Sequence, residues 1–144
     1  MKSSLHLVAV VVCSLSVLCL AGEARGATAQ LDDKSAGAAA EAFLAGYIKA
    51  DAKNVEWVAK TPLVTPEFKA AFKKARAAES VDADPVLFAQ DVPSTPFKAE
   101  SSKVKGDTAA VLVAAKFADK PHKLKVMLVA QGGHWLVSKT AAAK

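Results

Sequence analysis

A chain of 144 residues with 19 Lys and Arg against 14 Asp and Glu, 52% hydrophobic residues and a formal net charge of +5 fits one globular domain. This composition excludes collagen, a coiled coil, a polytopic membrane protein and a strongly disordered chain. Both cysteines, Cys13 and Cys19, fall in one apolar block, so the rest of the chain lacks disulfides, thiolate chemistry and cysteine-ligated zinc.

That block, Leu5 to Leu20, follows the positive Lys2 and precedes Ala27-Thr28-Ala29, an A-x-A cleavage pattern. Residues 1–29 therefore read as a secretory signal, with a mature start at Gln30 and no integral membrane span after cleavage. Retention of the segment as an N-terminal anchor is the alternative. The expected location is the periplasm or the exterior. Residues 30–144 form a single domain in which charge is uneven, because Lys98 onward holds 9 basic and 3 acidic side chains. Such a basic half attracts anionic envelope surfaces or polymers, or is a solvated Lys-rich sheet face. The mature chain has one arginine, Arg76, where readers of nucleic acid want several, so no nucleic-acid partner is expected.

The first half is helical in pattern. Asp32-Asp33-Lys34-Ser35 offers N-caps before an Ala-rich stretch in which Ala39, Phe43, Tyr47 and Ala50 recur at helical spacing. Gly46 weakens this helix and is expected to let another backbone approach. Residues 54–60 are ambiguous. Thr61 precedes a proline and should be extended. Thr65, Pro66 and Glu67 are an N-cap, a first-turn proline and a first-turn acid, so a second helix starts there and buries Phe68, Phe72 and Ala75. Residues 80–95 read as an irregular stretch.

The second half is β in pattern. Residues 96–104 and 108–118 are predicted strands joined by Lys105-Gly106-Asp107, the second burying Val111, Val113, Ala115 and Phe117. His122, Leu124, Val126, Leu128 and Ala130 alternate with Lys123, Lys125, Met127 and Val129. Gly132-Gly133 then marks a hairpin before Trp135 and Val137. Thr140 to Lys144 is expected to fray. Helices followed by a strand meander predict an α+β fold, with N-terminal helices packed on a curved antiparallel sheet of about four strands.

The inventory for chemistry is sparse. His122 and His134 lack any metal-ligand spacing, and no nucleophile elbow or phosphate loop is present. The densest polar cluster is Asp82-Ala83-Asp84-Pro85-Val86-Leu87-Phe88-Ala89-Gln90-Asp91. It lacks the ligands and the bend glycine of a calcium loop. Its structural reading has Asp84-Pro85 turn the chain, Val86-Leu87-Phe88 plug the core, and Gln90 and Asp91 satisfy loop backbone. Tyr47 could present its hydroxyl to a cavity, and Trp135 should pack under a helix.

The segment Asp82-x-Asp84-Pro85-Val86-Leu87-x-Ala89-Gln90-Asp91, followed by a meander ending in Trp135-Leu136-Val137, resembles the domain-of-unknown-function 3828 family of secreted bacterial proteins. The resemblance spans roughly residues 37–139. It implies a cone-like fold similar to nuclear transport factor 2 and no established activity.

The expected function is that of a secreted, non-enzymatic domain without cofactor or metal, binding a small apolar ligand or an envelope protein; it could also form a homodimer. The candidate pocket or motif residues are Tyr47, Asp82, Asp84, Gln90, Asp91 and Trp135. The alternative is a cone-fold enzyme of proton transfer or dehydration, with Asp91 as base and Tyr47 as its polariser. A third expectation is a partner-inhibiting or adaptor protein that uses the basic half, Lys98 to Lys139.

Overall fold

A computed structural model describes residues 31–78 and 83–143. The signal segment and Asp82 lie outside the described residues. Helix α1, Asp33–Ala50, starts at a capping box: the Asp32 carboxylate accepts from the Ser35 N–H, and the Ser35 hydroxyl accepts from the Asp32 N–H. A single 3-10 turn, Asp51–Lys53, leads into α2, Asn54–Lys60, so the ambiguous segment is helical. Helix α3, Pro66–Arg76, begins at the predicted cap, where Thr65 Oγ1 accepts from the Phe68 N–H at 3.2 Å.

Four strands follow: β1, Lys98–Lys105; β2, Thr108–Phe117; β3, Lys120–Gln131; and β4, His134–Ala142. They form one antiparallel sheet in the order β1-β2-β3-β4. The fold is α+β, with its helices on one face of this sheet. The C-terminal tail corrects one expectation. Instead of fraying, β4 runs on to Ala142, because a register shift between Met127 and Leu128 turns Thr140 inward, where it is buried opposite Val126.

The core fills the space between the layers. Ala40, Phe43, Leu44 and Tyr47 from α1 meet Val111, Val113, Leu124, Val126, Leu128 and Val137 from the sheet. Phe43 stands edge-on to Phe68, and Tyr47 edge-on to Phe72, which ties α3 to α1. The chain between α2 and α3 lies along β4. There Thr65 donates to the Val137 carbonyl and Val137 donates to the Leu63 carbonyl. The other outer strand, β1, is covered by α1: Glu41 accepts from the Ala99 N–H and Asp33 from the Val104 N–H.

Among the described residues, no helix lies over the second face of the sheet. Strand alternation places Ala110, Leu112, Met127, Val129 and Leu136 there, all half-buried. Lys103, Lys105, Lys116, Lys123, Lys125 and Lys139 share that face and are exposed.

Candidate functional site

Residues 83–92 form a loop fixed at its base by its own aspartate. Asp84 Oδ1 accepts from the N–H groups of Val86 and Leu87 at 2.8 and 2.9 Å, which is the turn expected of Asp-Pro. The Asp84 carbonyl accepts from the Phe88 N–H, and the Asp84 N–H donates to the Ala89 carbonyl. Val86 and Leu87 then enter the core.

Two further residues clamp the loop from outside. Tyr47 Oη donates to Asp84 Oδ2 at 2.6 Å. His122 Nε2 lies 2.7 Å from the Leu87 carbonyl oxygen, so this nitrogen must carry the hydrogen. Phe117 stands edge-on to the imidazole with ring centres 4.7 Å apart. Behind Tyr47, Asn54 Nδ2 donates to the Tyr47 oxygen at 3.3 Å and Arg76 donates to Asn54 Oδ1 at 3.1 Å. Burial, followed by the bonded Asp84 carboxylate, pushes the Tyr47 phenol far above its ordinary value. Tyr47 is therefore a proton-holding strut between helix and loop, and a poor acid.

Beyond this base the chain turns outward. Phe88 sits at φ 52°, the left-handed region that bulky residues avoid, and its side chain is 39% exposed. Of the three residues expected to plug the core, Phe88 alone does not, because the closed hydrogen bonds around Asp84 force the backbone at 88 to reverse. Gln90 and Asp91 are exposed beside it, and Val92 is 62% exposed. The result is a ridge, Phe88–Val92, standing on a fixed base.

The sequence-derived residues thus separate into groups. Asp84 and Tyr47 are joined. Gln90 and Asp91 lie on the exposed ridge, while the Tyr47 hydroxyl is bonded to Asp84 and Asn54. The pairing of Asp91 with Tyr47 that proton transfer would need is not assembled. Trp135 is buried on β4 and donates from Nε1 to Ser35 Oγ at 3.1 Å, under α1 as expected. An open groove of about 460 Å³ runs beside it, lined by Leu31, Ala39, Leu63 and Leu136. Sequence reasoning missed His122 as a clamp and Phe88 as a surface residue. The alternation placed His122 on the inner face of its strand, but nothing in the sequence announced a positive φ at 88.

No family model matches the chain, and no curated protein matches it. Two solved structures are similar in fold. One is the crystal structure of the type VI native effector–immunity complex Tae3–Tai3 from Ralstonia pickettii, at 21% identity and a TM-score of 0.61, covering 74% of this chain and 94% of that one. The other is a protein of unknown function from Bacteroides thetaiotaomicron, at 18% identity and a TM-score of 0.55, covering 75% of this chain and 89% of that one.

Proposed function

We propose that the protein is an exported, non-enzymatic module of the cell envelope that grips a protein partner with the ridge Phe88–Val92. The observation that carries this reading is Phe88: a bulky aromatic residue held in a left-handed backbone and 39% exposed. Backbone strain of this kind costs about 1–3 kcal/mol and persists where the surroundings over-determine it, most often at functional sites. Exposed aromatic rings are the usual anchors of protein interfaces. Three features give the ridge a rigid base at no cost on binding: Asp84, Tyr47 and His122.

Two further points support a protein partner. The inner face of the sheet holds core side chains where a cone pocket would lie, which leaves a small apolar ligand open surface grooves such as the one beside Trp135. A fold similar to this one also occurs in an effector–immunity complex, an assembly of one protein on another. The motif Asp84-Pro85 to Gln90-Asp91 is also the basis for proposing membership of the domain-of-unknown-function 3828 family, and the segment before Gln30 for proposing export.

The test is crosslinking capture from the native envelope with the full chain. Phe88→Ala and Val92→Ala should each cut recovery of the same partner, Phe88→Ala by at least about thirty-fold, the hot-spot range. Recovery equal to wild type with both variants would remove the ridge from the interface. A native mass raised by a small molecule, with no protein captured, would favour the groove beside Trp135.

A further inference from the structure

The bare sheet face is a second surface, independent of the ridge and far more basic. Six exposed lysines share this face with the apolar side chains of Leu112, Met127 and Val129. Glu100 is the acidic side chain on this face among the described residues, and Lys123 already neutralises it at 2.7 Å. On the helical side, by contrast, Glu41, Asp51, Glu56 and Glu67 stand among the lysines, and Glu56 pairs with Lys60.

We propose that this face docks on an anionic phospholipid surface, with its apolar side chains against the headgroup boundary and its lysines over the lipid phosphates.

The make-up of the face selects that occupant. Protein interfaces are rich in aromatic side chains and Arg and poor in Lys. Among the described residues this face carries no Trp, Tyr, Phe or Arg, since Trp135 and Phe117 point to the core and Arg76 lies on α3. Lysine is a flexible, strongly hydrated point charge, suited to a diffuse anionic surface rather than to one bidentate acceptor. A second copy of the chain would bring two lysine arrays together, which repels. No described helix is long and apolar enough to cross a membrane. Lys103 and Lys125 flank Leu112 across a shallow groove of about 420 Å³, which makes them the pair to test.

The measurement is co-sedimentation of the protein, in the form in which the cell holds it, with two kinds of vesicle. One is phosphatidylcholine alone; the other is phosphatidylcholine with an equal part of phosphatidylglycerol. The protein should bind the second and not the first, and salt should release it. Each lysine at an anionic surface contributes roughly five-fold to partitioning, so the double variant Lys103→Gln, Lys125→Gln should bind roughly twenty-five-fold more weakly. The double variant Lys49→Gln, Lys53→Gln, on the helical side, should bind within a few-fold of wild type. Equal losses from both pairs would mean that net charge and not this face binds, and would overturn the proposal. So would attachment to phosphatidylcholine alone, or binding to soluble heparin or DNA without binding to the anionic vesicles.

Discussion

The indole of Trp57 occupies the place that a side chain at Gly46 would need: a Cβ built there would stand 2.3 Å from Trp57 Cζ2. The close approach expected at this glycine is made by a ring and not by a backbone. It lets the short helix α2 fold back on α1, with Trp57 also 5.9 Å from Phe43 between ring centres.

Gly46→Ala should therefore destabilise the protein although alanine is the better helix former. The propensity gain is about 1 kcal/mol, and forcing a methyl into filled space costs about 1–3 kcal/mol. A net loss of about 1 kcal/mol would lower the melting temperature by about 4 °C. Because the displaced group is a tryptophan, the emission spectrum should shift in the same variant. An unchanged spectrum with a raised melting temperature would show that Trp57 does not fill this site.

Much of this fold was legible because the deciding signals were local. Thr65-Pro66 started α3 on the residue predicted, and alternation from His122 to Ala130 assigned each side chain of β3 to its face. The end of β4 was not legible. Thr140 turns inward through a register shift that depends on β3, and no pattern within residues 138–142 encodes it. The site divided in the same way. Asp84 was visible as a turn residue from its proline. Its bond to Tyr47 spans 37 positions and could not be read, nor could the outward turn of Phe88.

Tyr47→Phe tests that long-range bond. It removes the donor to Asp84 Oδ2, so at neutral pH stability should fall by about 1–2 kcal/mol. The pH dependence gives a second readout. The unfolded phenol ionises near 10.0 and the folded one higher, so the folded state holds the proton more tightly. The stability from neutral Tyr47 is thus complete below pH 10 and is lost as pH rises above it, at up to about 1.4 kcal/mol per unit. Urea titrations at pH 8 and pH 11 should show a steeper loss in the wild type than in the variant. Parallel losses would mean that Tyr47 ionises as easily in the folded chain as in the unfolded one.

The free edge of β1 offers a different prediction. Glu41 Oε1 and Asp33 Oδ1, on one side of α1, accept from the Ala99 and Val104 N–H groups at 2.8 and 2.7 Å. Unsatisfied edge groups template pairing with another chain. The double variant Asp33→Ala, Glu41→Ala should lose about 1 kcal/mol per bond and associate with rising concentration, visible by light scattering. The Ala99 N–H, and after it Lys98, holds the Glu41 carboxyl below its ordinary 4.5. Its contribution is therefore present above that value and lost as pH falls through the lower folded value. Wild-type protein should begin to associate only in that acid range. A monomeric double variant would show that the edge is guarded by something else.

The backbone at Phe88 separates stability from binding. Phe88→Gly and Phe88→Ala remove the same ring, so both should abolish the grip on a partner. They differ in what remains, since glycine accepts a φ of 52° freely while a Cβ there costs about 1 kcal/mol. Phe88→Gly should thus be the more stable of the two by about 1 kcal/mol, or about 4 °C in melting temperature. Equal stability would mean that the loop relaxes once the ring is gone. The strain would then belong to the phenylalanine and not to the base formed by Asp84 and His122, and the ridge would lose its claim to rigid presentation.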